Sequence, residues 1–234
     1  MSEHSNTPET PAIQPRHVFS SLPKYAAGKP PTPVEGLKQY KLSSNENPHG
    51  PIPEVARILA EFDATHRYPD PLSTKLRTAL AHRLGVDAHN IVTGAGSLGA
   101  LNQILKAFAG ASLDGTQDEV IYAWRSFEAY PILVGLLGAK SVQIPNLPNG
   151  AHDLNAMAQA VTDRTRVILV CTPNNPTGPA VTEAQMREFL TKIPENVVVV
   201  IDEAYYEFCT ASTVPAGQNA PVNGLNLLND HPNV

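Results

Sequence analysis

Two apolar runs, Val167 to Val170 and Val197 to Ile201, carry no polar alternation. Runs of that kind read as strands buried on both faces, as in a parallel sheet. Glu119 to Ala123 and Lys140 to Pro145 read as two further strands, and Asn90 to Thr93 as a short one. Between them the apolar positions fall at helical spacing. Val55, Ile58, Leu59 and Phe62 mark a helix over Pro53 to Phe62, with Pro53 suited to its first turn. Leu76, Leu80 and Leu84 mark a second, closed by Gly85. Leu98, Leu101, Ile104, Leu105 and Phe108 mark a third, with Gly110 as its stop, and Leu154, Met157 and Val161 a fourth. Thr182 and Gln185 form a capping box that opens a fifth, bearing Met186, Phe189 and Leu190, and the spacing from that cap puts Lys192 on the same helix. At least five strand-like runs alternating with helices predict an α/β fold, a mainly parallel sheet flanked by helices on both faces. Residues 1–40 are rich in Pro, Ser and Thr and read as a partly disordered N-terminal arm, leaving 41–234 for the folded domain.

Composition narrows the function. The 234 residues are 17% charged with a net charge of −5, which offers no basic footprint for nucleic acid. No apolar run reaches membrane-spanning length, and the first residues lack the basic and apolar regions of a signal peptide. Cys171 and Cys209 have neither metal-ligand nor disulfide-framework spacing, and the eight histidines are scattered. The expectation is a cytoplasmic protein with no metal site, no membrane association and small-molecule partners.

Candidate chemistry collects where strands end, since ligands of open α/β sheets bind outside the carboxyl ends of the strands. Asn175 stands in Cys171-Thr172-Pro173-Asn174-Asn175-Pro176-Thr177-Gly178, after one apolar run. Asp202 and Tyr205 stand in Asp202-Glu203-Ala204-Tyr205, after the other. Gly94-Ala95-Gly96-Ser97-Leu98-Gly99 joins a strand-like run to a helix, and a helix N-terminus with glycines before it suits a phosphate group. No ribose-reading acid follows these glycines at a strand end, which argues against a dinucleotide fold. Trp124-Arg125-Ser126-Phe127-Glu128-Ala129-Tyr130-Pro131 follows another strand. By residue type alone each stretch also has a plain reading: Asn-Pro and Thr-Gly as loop punctuation, Phe127 as core, Tyr68 packed between prolines, Asn45 in a turn before a helix.

The N-P-T-G and D-E-A-Y stretches, in that order, resemble those of fold type I pyridoxal-phosphate aminotransferases of class I/II, in the histidinol-phosphate and aromatic amino acid branch. The resemblance implies a three-layer αβα large domain, of which 41–234 would be an incomplete part, with the C-terminal small domain missing. It implies pyridoxal 5'-phosphate as cofactor and, in the full-length protein, a homodimer with shared sites. Asp202 would pair with the protonated pyridine nitrogen, and Asn175 and Tyr205 would hydrogen-bond the ring's phenolic oxygen. Phe127 would stack on the ring, and Gly96, Ser97 and Leu98 would hold the phosphate. Tyr68, in Arg67-Tyr68-Pro69, would reach the cofactor phosphate of the other subunit, and Asn45 would lie close to the substrate. The pattern departs from the family at Trp124 and Arg125, where a proline is usual. The implied reaction moves an amino group from an aromatic amino acid to 2-oxoglutarate, a 2-oxo acid. Histidinol phosphate is the alternative donor.

That chemistry needs a lysine to form a Schiff base with the cofactor and to shuttle a proton. The family carries it in an S-x-S-K or T-x-S-K stretch after D-E-A-Y, and this chain has no lysine after Lys192. The catalytic lysine is therefore unassigned here, and residues 1–234 are expected to be inactive alone and to leave a sheet edge unpaired. Three readings stand: an aminotransferase fragment, a non-catalytic pyridoxal-phosphate-binding remnant, and a phosphate-binding α/β protein of unrelated chemistry. The strand-end placement predicts that Gly96 to Leu98, Phe127, Asn175, Asp202 and Tyr205 line one concavity.

Overall fold

The computed structural model describes residues 16–23, 31–41, 43–209 and 221–234. Among these residues six α-helices run in chain order: α1 (Pro53–Glu61), α2 (Thr74–Leu84), α3 (Gly96–Phe108), α4 (Ala129–Leu136), α5 (Leu154–Gln159) and α6 (Glu183–Leu190). Four strands, β1 (Glu119–Trp124), β2 (Lys140–Pro145), β3 (Thr165–Cys171) and β4 (Val198–Asp202), form one parallel sheet in the order β2-β1-β3-β4. The chain divides into two compact units, Lys24–Ala100 and Leu101–Val234 with Met1–Pro23.

In the larger unit, parallel pairing forces a crossover between successive strands, and α4, α5 and α6 supply the three. The apolar strands hide a period of two. Val120, Tyr122, Val167, Leu169 and Cys171 pack with Leu101 and Leu105 of α3 and Tyr130 and Val134 of α4. Ile121, Ala123, Ile168, Val170 and Val199 pack on the other face with Met157 of α5 and Met186, Phe189 and Leu190 of α6. The sheet is thus covered on both sides, which is why its strands read as continuous apolar runs. Each fully buried Val, Leu, Ile, Phe or Met contributes roughly 1.5–3 kcal/mol.

The outer edge of β4 is partly covered by residues 221–234. Val199 N donates to Asn233 O at 2.8 Å, Asn233 Nδ2 donates to Val197 O at 2.9 Å, and Val222 and Leu227 are buried. The expected bare edge is therefore only partly exposed. Residues 17–20 form a single 3-10 turn. Arg16 Nη1 donates to Leu136 O at 3.2 Å, and the Leu22 side chain occupies the space a Cβ at Gly135 would need. The expected disorder of the 1–40 arm bears also on residues 1–15 and 24–30, which lie outside the described residues. No helix among the described residues is long and apolar enough to cross a membrane.

In the smaller unit Pro53 opens α1, and Gly85 closes α2 with a left-handed φ of 69°. The strand expected over Asn90 to Thr93 is absent. Residues 88–90 form a 3-10 turn capped by Ile91 N donating to Ala88 O, and the extended Ile91 pairs with no strand, because the unit holds no other strand among its described residues. Val161 lies past the end of α5, and Lys192 lies beyond α6, which stops at Leu190. The capping box at Thr182 and Gln185 forms as expected. Helix α4 went unread in the sequence because the Phe127 to Pro131 stretch looks like loop; Pro131 sits in its first turn, where its missing N–H costs nothing.

At the amino ends of the strands, Glu119 is 2% exposed and accepts from Lys140 Nζ at 2.9 Å, Arg164 Nη2 at 3.0 Å and Thr162 Oγ1 at 2.6 Å. Burial alone would raise this carboxyl. The Thr162 hydroxyl and the two cations outweigh it, so Glu119 titrates below the ordinary range. A carboxylate lowered in the folded state adds stability that is present above its unfolded pKa and lost as pH falls through the folded one. Glu119→Gln should therefore lower the unfolding free energy by about 1–3 kcal/mol at neutral pH. The gap from wild type should close in acid, measured by urea denaturation at both pH values.

Candidate functional site

Strand order places β2 and β3 on opposite sides of β1. The crossover from β1 runs to one side while β3 adds on the other, so the loops after β1 and β3 part at the carboxyl edge. That topological switch point is where open α/β sheets form their crevice.

Buried polar side chains bridge the two loops. Ser126 Oγ donates to Asn174 Oδ1 at 2.7 Å, and Asn174 Nδ2 donates to Arg125 O at 2.9 Å and to Thr177 Oγ1 at 2.7 Å. Thr177 Oγ1 donates in turn to Gly150 O at 2.7 Å, so the loop after β2 joins the same network. Gly150 has φ +83°, and a Cβ there would meet Thr177 Cβ at 3.0 Å; both facts require glycine. Asn174 and Ser126 are 2% and 1% exposed.

Asp202 ends β4 in register with Cys171 at the end of β3. Its Oδ2 accepts from Tyr130 Oη at 2.7 Å and its Oδ1 from Ala204 N at 3.2 Å. Tyr130 is fully buried in the first turn of α4, edge-on to Phe127 (5.7 Å, 86°) and to Tyr122 (5.6 Å, 69°). Burial, together with the neighbouring Cys171 and Asp202, pushes the Tyr130 phenol well above its ordinary value, so it stays a neutral donor. Burial and then Asp202 push the Cys171 thiol up as well. Glu203 is raised chiefly by burial and accepts from Gly224 N at 3.0 Å.

Of the residues singled out in the sequence, Phe127, Asn175, Asp202 and Tyr205 belong to the larger unit, and all four are half-buried. Phe127 and Asp202 meet through Tyr130, and Asn175 directly follows the Asn174 bridge. Tyr205 precedes a 3-10 turn and packs against Phe208 at 6.2 Å. The remaining candidates lie in the smaller unit. Gly96, Ser97 and Leu98 form the first turn of α3, where Gly96 has φ +66°. Gly99 packs on the Gly94 backbone, which a Cβ would approach to 3.1 Å. Tyr68 is fully exposed, and Asn45 lies in a turn with φ +51°.

Sequence reasoning missed Tyr130 and Asn174. Tyr130 carried a signal: it stands three residues after Phe127, the spacing of side chains that meet on one helical turn. Asn174 carried none, since nothing in a pair of asparagines says which is buried.

Residues 38–234 match the family model of aminotransferase class I and II. The chain is 46% identical over 220 residues to the aromatic amino acid aminotransferase of Streptomyces coelicolor, covering 94% of this chain and 58% of that protein. It is 47% identical over 220 residues to the aromatic amino acid aminotransferase of Thermobifida fusca, covering 94% and 57%. The chain thus spans little more than half the length of these relatives. Among solved structures it is similar to histidinol-phosphate aminotransferase from Sinorhizobium meliloti in complex with pyridoxal-5'-phosphate. There the TM-score is 0.64 at 27% identity, over 74% of this chain and 46% of that one.

The bridge has a measurable weight. Asn174→Ala removes three side-chain hydrogen bonds and leaves buried Ser126 Oγ without its acceptor. Unfolding free energy in urea should fall by roughly 2–3 kcal/mol, the scale of a buried polar group left unsatisfied. A loss within about 0.5 kcal/mol, as at an ordinary surface position, would contradict this weight.

Proposed function

The chain belongs to the class I and II aminotransferases, and we propose on that premise that the protein carrying it transfers an amino group from an aromatic amino acid to 2-oxoglutarate. Pyridoxal phosphate is the cofactor. The observation that carries this reading is the strand-end carboxylate Asp202, held at the carboxyl edge by a buried neutral phenol with the Phe127 ring close by.

The donor set fits a flat, protonated pyridine bearing an oxygen and a phosphate. Asp202 offers an anionic acceptor for the ring N–H⁺, and Phe127 an aromatic surface. Asn175 and Tyr205 offer polar groups for the ring oxygen. The first turn of α3, at Gly96, Ser97 and Leu98, offers the backbone N–H groups of Ser97 and Leu98, which lack intrahelical partners, while Gly96 N donates to Gly94 O. When bound, pyridoxal phosphate supplies the electron sink for negative charge at the amino acid's α-carbon. A carboxylate beside the ring nitrogen favours its protonated form, which strengthens that sink. Asn45 contacts the substrate. On this reading residues 41–234 are part of the cofactor-binding large domain. Two free cysteines fit a reducing cytoplasm, which fractionation would test.

The aromatic donor is favoured because the relatives that cover 94% of the chain carry that name. The likeness to a histidinol-phosphate enzyme supports the second reading. In the intact gene product, kcat/KM for phenylalanine, tyrosine or tryptophan should exceed that for histidinol phosphate by roughly tenfold or more. The reverse order would select the second reading. No lysine follows Lys192, so a polypeptide of residues 1–234 tested alongside should turn over none of these donors. It should also give no stoichiometric pyridoxyl-lysine after borohydride treatment.

The protein is a homodimer in which Tyr68 serves the partner's site; the full exposure of this side chain supports that reading. Sedimentation of the intact gene product should give twice the monomer mass. Mixing Tyr68→Phe subunits with subunits disabled at Asp202 should yield hybrids with one fully native site. A monomer, or hybrids with no native site, would overturn it.

A further inference from the structure

Tyr130 is the stronger of the two groups holding Asp202. Its hydroxyl lies 2.7 Å from Oδ2, whereas Ala204 N lies 3.2 Å from Oδ1. The phenol cannot swing away, because its ring is fully buried and set edge-on between Tyr122 and Phe127. The other polar group nearby does not substitute for it: Cys171 Sγ is directed to Pro173 O at 3.5 Å. A carboxylate has about four acceptor sites, so these two bonds fix Asp202 and leave acceptor capacity for a ligand. The same ring supports Phe127, so one side chain sets both a charge and an aromatic surface at the carboxyl edge.

We propose that Tyr130 is a positioning residue for Asp202: its buried phenol donates the hydrogen bond that keeps the carboxylate aimed at the cofactor's ring nitrogen. This rests on the reading of Asp202 as the partner of that nitrogen. A hydrogen bond from a neutral donor stabilises the charged carboxylate. Removing the hydroxyl leaves Asp202 with a single long bond and freedom to rotate. The effect falls on the ring nitrogen and not on the phosphate or the ring oxygen.

The test is a ratio of affinities. Apoprotein of the intact gene product is titrated with pyridoxal phosphate and with its 1-deaza analogue, in which a ring C–H replaces the nitrogen. Wild type should prefer pyridoxal phosphate, and Asp202→Ala should abolish the preference. Tyr130→Phe should cut the preference roughly tenfold, the scale of a hydrogen bond to a charged group, and Tyr130→His, which keeps a ring N–H donor, should restore part of it. Should Tyr130→Phe fail to fold, the partial preference retained by Tyr130→His carries the test. A purely structural role would weaken both ligands alike and leave the ratio unchanged. An unchanged ratio in Tyr130→Phe, with the preference lost in Asp202→Ala, overturns the proposal and leaves the site reading standing. An unchanged ratio in Asp202→Ala overturns both.

Discussion

The carboxyl edge of the sheet depends on one buried amide. At the switch point the loops after β1 and β3 have no ladder to hold them together, since each leaves its strand in its own direction. Asn174 spans the gap with its full side-chain donor capacity: both Nδ2 hydrogens are used, one on each loop, and Oδ1 takes the Ser126 hydroxyl. In a site this buried such bonds are stronger than in water and an unpaired one is costly, so the loops keep one arrangement. An aspartate of the same shape would set an acceptor against the Arg125 carbonyl, which cannot donate, and could keep Thr177 Oγ1 only if that hydroxyl turned away from Gly150 O. The display of Phe127 and Asn175 follows from this junction.

The two ends of the sheet use carboxylates in opposite ways. Glu119, at the amino ends, is buried and saturated by two cations and a hydroxyl, which lowers its pKa and fixes β1 against β2 and the start of β3. Asp202, at the carboxyl ends, is half-buried and accepts two bonds among the described residues, from a neutral phenol and a backbone N–H. The first arrangement, almost wholly buried, is closed to a ligand. The second holds a charge without neutralising it, which is the requirement for recognising a cationic ring. Burial of Glu203 beside it raises that carboxyl.

Much of the sheet was legible because burial on both faces turns a strand into an unbroken apolar run, as in Val167 to Val170. The capping box at Thr182 was legible because its two hydrogen bonds are local in sequence. The expected strand at Asn90 to Thr93 failed for the complementary reason: a strand is defined by a neighbouring strand, and apolar residues cannot announce that the described residues of the unit hold no other. Helix α4 was hidden because Pro131 interrupts the stretch where it begins, while its burying side chains, Tyr130 and Val134, need the sheet beneath them to declare a face. Tyr130 and Asn174 act through partners 72 and 48 residues away, and such pairings exist only after folding.

The smaller unit shows what periodicity leaves undetermined. Val55, Ile58, Leu59 and Phe62 form the stripe that their spacing predicts, yet all four are exposed, and no described residue of the unit is buried. A nine-residue helix is marginal in water by itself, because nucleation is costly and tertiary burial supplies most helical stability. The stripe therefore has to be covered by surface other than the described residues of this chain for α1 to be stable. Tyr68 and Asn45 share the unit, and neither is fixed by a core. The Tyr130–Asp202 pair, by contrast, is built into the sheet.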